Sequence, residues 1–363
     1  MDITHPSIAY IEILKQLGIS QAIHNVQTKL DVLIVDGEPV PTTLNNQEFD
    51  NSYVCSPYTA YISYAEDELQ LIKSHSQRRL FWVAIRIAEK LLKLAKINQT
   101  LSINNWLVST NLPPKWSTET IPTLTNKLIH SYPIHSFNIR SLNWHSNAEL
   151  MQALQDNGWL LIPARQVYLF DNQDRQWWQR SHTKRDQRFL QKTHLTLLEP
   201  DEHQQADFAD IAECFKMLFI EKHSHFNPQF SADYLYEMHK MGFIQFYSFR
   251  NPEDQKIIAS IGLFTQQEII TTPIVGYDTN QPKELGLYRL LMAVLLKETY
   301  ESGKMMNLSS GAGGFKRARG GQPIIEYTAF YTKHLSCSRT LIMQGFAKLL
   351  NKFGPKVLED NQI

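Results

Sequence analysis

GYDTNQPKELGLYRLLMAVLLKETYESGKMMNLSSGAGGFKRARGG, residues 276–321, decides the fold. A strand ends at Tyr277 and a polar loop follows. Leu287, Leu290, Leu291, Val294 and Leu295 then recur at the spacing of a helix with one buried face. MMNLSS (305–310) reads as the next strand, and a glycine-rich turn leads into a further strand, IIEYTAFYT (324–332). Strand, helix and strand in that order mark a sheet with a crossover helix.

Both ends of that helix unit suit an anion. A helix start leaves amides unpaired and carries partial positive charge, and Gly286 lets a ligand approach the backbone. Gly286, Leu287 and Arg289 therefore form one candidate anion-binding turn. The second is the segment 307–321, which holds five of the fifteen glycines, with Lys316, Arg317 and Arg319 between them. Such a turn aims amides into a concavity, so Ser310, Gly311, Gly313 and Gly314 join the anion-binding set. It lacks the GK[ST] ending of a P-loop, and Leu308 excludes a GxSxG elbow.

Outward from this unit, elements alternate. Upstream come strands LTLLE, FIQFYSF, IIASIGLF and EIITTPIVGY, with helices near 205–223 and 231–240. The N-terminal half offers DVLIV (31–35), YVCSPYTAYISY (53–64), INNWLV, HSFNIRSL and WLLIPARQVYLF as strands. Its helices fall at 66–95, 117–131 and 147–157. In the first of these, Leu80, Val83, Ala84, Ile87, Ala88, Leu91, Leu92 and Ala95 form an apolar stripe, which predicts a buried face. Between the halves, DNQDRQWWQRSHTKRDQRFLQKTH (171–194) reads as a basic connecting helix. The expectation is an α/β chain of two lobes, 1–170 and 195–363, each a mixed sheet flanked by helices.

Composition narrows the class. At 363 residues, 43% hydrophobic and 20% charged, the chain is globular and long enough for two cores. Its net charge is zero, which gives no global pull toward nucleic acid or an anionic surface. Cys55, Cys214 and Cys337 show no CxxC and no metal-ligand spacing, as in a reducing compartment. MDITHPSIAYIEIL has no basic region before an apolar run, so no secretory signal is expected. Arg86, Glu89 and Lys90 exclude a span at 80–92. A cytoplasmic protein is expected.

The order strand–loop–KELGLYRLL–helix–strand resembles the acyl-donor half of the GNAT superfold. Phe315-Lys316 after NLSSGAGG, and KRDQRFLQKTHLTLLEPDE (184–202), are similar to the FemAB-like branch of tandem GNAT transferases. The resemblance covers roughly 100–350. It implies transfer of an acyl or aminoacyl group to an amine, with acyl-CoA, a carrier-bound acyl group or aminoacyl-tRNA as donor. It further implies that Phe315 and Lys316 stabilise the transition state. Lys283, Gly286 and Tyr288 fill the places of the family's Q/R-x-x-G-x-G/A loop, and Tyr288 is bulkier than the residue it replaces.

Acyl transfer needs a held carbonyl and donors aimed at its developing oxyanion. Lys316 with the amides of 310–316 is the candidate oxyanion site, and the resemblance implies that Tyr277, Asp278 and Tyr288 lie where GNAT enzymes place groups around the thioester. His223, in KHSHFNPQF (222–230), is a candidate base for the amine. Arg317, Arg319, Arg140 and Asn227 are candidate anion or acceptor contacts. His223 and His225 lack a third ligand, so no metal is expected. The expected function is N-acyl transfer to a small amine. The alternatives are an aminoacyl-tRNA-dependent peptidyltransferase, favoured by the basic linker with Trp177-Trp178, and a GNAT-shaped binding module without catalysis.

Overall fold

The computed structural model describes residues 5–72 and 74–361. The helices are α1 (Pro6–Leu17), α2 (Ile19–Ala22), α3 (Tyr64–Glu68), α4 (His75–Leu94), α5 (Thr120–Ser131), α6 (Ala148–Asp156), α7 (Ser181–Leu190), α8 (Asp207–Phe215), α9 (Ala232–Lys240), α10 (Leu287–Ser302), α11 (Gly313–Ala318) and α12 (Cys337–Asn361). The strands are β1 (Lys29–Val35), β2 (Glu38–Asn45), β3 (Thr100–Ile103), β4 (Ser136–Leu142), β5 (Leu160–Phe170), β6 (Thr196–Leu198), β7 (Ile244–Arg250), β8 (Ile257–Gln266), β9 (Ile269–Tyr277), β10 (Met305–Asn307) and β11 (Gln322–Tyr331). The chain divides into two compact units, one of residues up to 20, 25–166 and 324 onward, the other of 21–24 and 167–323.

The first unit orders its strands β1-β2-β3-β4-β11. Pairing is antiparallel except between β3 and β4, where Thr100 to Ile103 run parallel to Ser136 to Ile139. Phe137, Ile139 and Leu142 of β4 pack with Ile121, Leu124 and Leu128 of α5 and Met151 and Leu154 of α6. Burial of these side chains, each worth about 1.5–3 kcal/mol, holds the helices on the sheet.

The second unit pairs in the order β10-β9-β8-β7-β6, with Leu169 and Phe170 of β5 beside β10. β10 runs parallel to β9 and the remaining pairs are antiparallel. α10 crosses over between β9 and β10, burying Leu290, Leu291 and Leu295 against Phe249, Ile261 and Met306. On β9, a Cβ at Gly276 would lie 2.4 Å from the Phe215 amide, so only glycine lets α8 pack this close.

Several expectations change. INNWLV is a strand only at Ile103, where β3 ends, because Asn104 and Leu107 take left-handed φ of 55° and 53°, which a strand does not admit. YVCSPYTAYISY is not a strand but a turn and a π-helical segment, Thr59–Ser63. Pro57 suits a first helical turn, and Ser56 Oγ accepts the Thr59 amide at 3.1 Å, a helix start rather than a ladder. The boundary moves as well. Residues 324–361 belong to the first unit, because Tyr327–Tyr331 pair with Phe137–Leu142. Residues 171–194 belong to the second unit, where Trp177 and Asp186 are buried. Finally, the α4 stripe is only partly covered. Leu92 and Ala95 are buried, whereas Leu80, Val83, Ile87 and Leu91 are exposed.

Candidate active site

The site begins where two parallel strands part. β10 pairs with β9 over three residues only, Met305 with Ile269 to Asn307 with Thr271. Immediately beyond, β9 carries an extra residue against β8, since Gly262 faces Ile274 while Phe264 faces Thr271. The bulge contains Pro273, which has no amide to give a neighbouring strand, and the Thr272 hydroxyl turns back onto the Ile274 carbonyl at 3.0 Å. A bulge bends its strand, so β9 diverges from β10 here. Thr272 to Tyr277 have no strand partner on that side among the described residues. At the fork the Thr271 hydroxyl is fully buried and lacks a hydrogen-bond partner.

α10 starts behind this fork. Gly286 takes the left-handed conformation, φ 59°, and its missing side chain accommodates the Phe189 ring, which a Cβ would meet at 2.9 Å. No side chain caps the helix, and the amides of Leu287, Tyr288 and Arg289 have no acceptor among the described residues. Arg289 adds a cation to the same turn. Its Nε donates to Asp186 Oδ1 at 2.5 Å while its guanidinium lies 4.5 Å from the Phe189 ring centre.

The glycine-rich segment is anchored to this helix start. Asp186, 1% exposed, accepts Arg319 Nε through Oδ2, so one carboxylate joins Arg289 and Arg319. Arg319 also donates to the Phe315 carbonyl at 3.0 Å and lies against the Phe315 ring. Phe315 in turn meets Tyr288 edge-on, ring centres 5.1 Å apart. Two arginines against one carboxylate leave an excess positive charge beside unpaired amides, the electrostatics of an anion site.

Lys316 organises the loop. It is 4% exposed, and Nζ donates to the carbonyls of Leu308 (2.7 Å), Ser309 (3.3 Å) and Ser310 (2.7 Å). An ammonium has three protons, so its donors are engaged by the backbone. This holds Ser309 and Ala312 at φ 52° and 50°, a conformation non-glycine residues rarely adopt. The amides of Ser310 to Phe315 stay without an acceptor among the described residues. Gly313 is buried, while Gly311 and Gly314 are exposed.

Other candidates have their own geometry. Arg317 Nη1 donates to the Tyr168 hydroxyl at 3.2 Å. Burial raises the Tyr288 phenol above its ordinary range, so it holds its proton at neutral pH. Asp278 closes its own turn, accepting the Asn280 amide and the Gln281 side chain. Lys283 is exposed on the turn before Gly286, and Leu287 is buried in the core. His223 is exposed beside Phe219, whereas Asn227 is buried and donates to the Phe219 and Ser224 carbonyls, which shapes the 222–230 loop. Arg140 lies in the first unit, donating to the Val54 carbonyl at 2.8 Å and to Asn105. Sequence reasoning missed the β9 bulge and the bridging role of Asp186. Pro273 inside a strand was a usable signal for the first. Nothing in a basic helix marks its single buried acid.

The first unit also holds a displaced titration. Burial pushes the Glu68 carboxyl up to about 7, with Asp67 adding to the rise and Arg165 opposing both. A carboxyl raised above its unfolded value favours the folded state when protonated, so its contribution is full below about pH 4 and lost as pH climbs through 7. Relative to wild type, Glu68→Gln should therefore gain stability on the order of 2 kcal/mol between about pH 5 and 8, read by urea unfolding at each pH. Parallel pH profiles for the two proteins would contradict this.

No protein-family model matches the chain, and no curated protein matches it. Solved structures do. The chain is similar to the C-terminal domain of a protein described as a lysylphosphatidylglycerol synthetase from Agrobacterium fabrum, at 14% identity over 69% of this chain and 82% of that one, TM-score 0.47. It is similar to FemX at 9% identity, over 58% and 77% of the two chains, TM-score 0.46. A tandem GNAT protein from the clavulanic acid biosynthesis pathway matches at 9% identity over 64% and 75%, TM-score 0.38. The likeness is one of fold.

Proposed function

We propose that the second unit is an acyltransferase whose donor lies in the fork between β9 and β10. The parting of these strands carries the reading. It frees one side of Thr272 to Tyr277 for an extended, amide-bearing donor arm, as an added strand would pair. The donor's phosphate group sits on the Leu287–Arg289 amides with Arg289 as counter-charge. Its reactive carbonyl points toward the amides of Ser310 to Phe315, which stabilise the oxyanion, with Lys316 as the positioning residue that keeps the loop open.

An acceptor amine attacks that carbonyl. The carbon–nitrogen bond forms, the bond from the acyl carbon to its sulfur or oxygen leaving group breaks, and the amine's proton is released as the leaving group gains one. Tyr288, kept protonated by burial, is the proposed proton donor to the leaving group. Acyl-CoA or a carrier-bound acyl group suits the extended fork, and a small amine is the proposed acceptor.

One observation favours aminoacyl-tRNA as a second reading. Lys184, Arg185, Arg188 and Lys192 are all exposed on or just after α7, the helix whose buried face carries Asp186. Thermal-shift measurements with coenzyme A, acyl-CoA, acyl carrier protein and aminoacyl-tRNA separate these donors. One of them should stabilise the protein and pass its acyl group to an amine. Stabilisation without transfer to any amine would identify a binding module instead.

A further inference from the structure

We infer that the first unit docks on an anionic lipid surface through α4 and α12. α4 has three faces instead of two. Ile85, Ala88, Leu92 and Ala95 turn toward the protein, where Leu92 and Ala95 pack with Met343 and Ala347 of α12. Leu80, Val83, Ile87, Leu91 and Leu94 fall within an arc of roughly 100° at 3.6 residues per turn, and each is 43–66% exposed. Arg79, Arg86, Lys90 and Lys93 form the third face, and all four are exposed.

With Trp82, which lies outside this arc on the side of Arg86, six large apolar side chains are left in water on one helix, and they require a partner, because a soluble surface seldom leaves so long a stripe uncovered. The cations decide which partner. Arg86 and Lys93 are held by Glu89, at 2.9 and 2.7 Å, while Arg79 and Lys90 border the apolar arc directly. α12 repeats the composition, with exposed Leu341, Leu349 and Phe353 beside exposed Lys348, Lys352 and Lys356. Lys352 Nζ lies 5.1 Å from the Phe353 ring centre. Acids on the two helices are few: Glu89, which is ion-paired, and Glu359 and Asp360 at the far end of α12.

Protein–protein interfaces are depleted in lysine at their apolar centre, so this interleaving argues against a second copy of the chain. It is the pattern of a helix lying in the headgroup plane, apolar face down and lysines reaching for phosphate. Among the described residues no helix is long and apolar enough to cross a membrane, so the contact is peripheral and reversible.

Flotation of the full chain with phosphatidylcholine vesicles, with and without phosphatidylglycerol, tests this. Binding should require phosphatidylglycerol and weaken with salt. Ile87→Glu with Leu91→Glu should reduce vesicle affinity roughly tenfold or more, and Arg79→Glu with Lys90→Glu by a similar factor. All four positions are exposed, so circular dichroism and melting should match wild type. No binding to either vesicle would overturn the inference. So would binding unaffected by both pairs, or a concentration-dependent dimer that the same substitutions abolish.

Discussion

Urea unfolding of an Asp186→Ala variant is expected to show a loss of about 3–5 kcal/mol, among the largest effects of any single substitution in the second unit. The carboxylate is 1% exposed and meets Arg319, whose side chain is 7% exposed, and Arg289 at 36%. Removing it leaves one guanidinium buried without its counter-charge, and that uncompensated desolvation dominates. Arg289→Met should cost far less, since Arg319 keeps its partner and the position opens to water. The contrast separates a buried charge network from ordinary packing, which would make the two losses similar. Because Asp186 also ties α10 to the glycine-rich segment, the same variant should lose donor-induced stabilisation even at temperatures where it stays folded.

Lys316→Met should leave much of the fold intact and yet weaken donor binding roughly a hundredfold. Methionine fills the volume of the side chain but offers nothing to the carbonyls of Leu308, Ser309 and Ser310. Without a shared cation these carbonyls repel one another and the left-handed run at Ser309 and Ala312 relaxes. Lys316→Arg should not restore binding, because a planar fork is poorly matched to three carbonyls converging on one point. Normal donor affinity in Lys316→Met, measured by calorimetry, would remove the lysine from the account. Restored affinity in Lys316→Arg would show that charge alone suffices.

The second unit was largely legible in the sequence because its signals are local. A leucine stripe at 287–295 gives α10, and glycines between cations give a backbone-lined turn. What escaped was long-range. Lys316 reads as a direct oxyanion donor until the chain curls its own carbonyls around it, and Asp186 is one acid in a run of bases. The first unit misled where one face served two purposes. The α4 stripe has correct helical spacing, but periodicity does not say which of two apolar arcs meets the core. YVCSPYTAYISY, rich in aromatic and β-branched residues, suggests a strand. Pro57 and the Ser56 cap overrule that propensity with a helix start.

Hydrogen exchange at individual amides, measured with and without whichever donor raises the melting temperature, is the direct test of the donor site. Bound donor should slow exchange at Leu287, Tyr288 and Arg289, along the free side of Thr272 to Tyr277, and across Ser310 to Phe315. Protection confined to other parts of the chain, with these three segments unchanged at saturating donor, would contradict it.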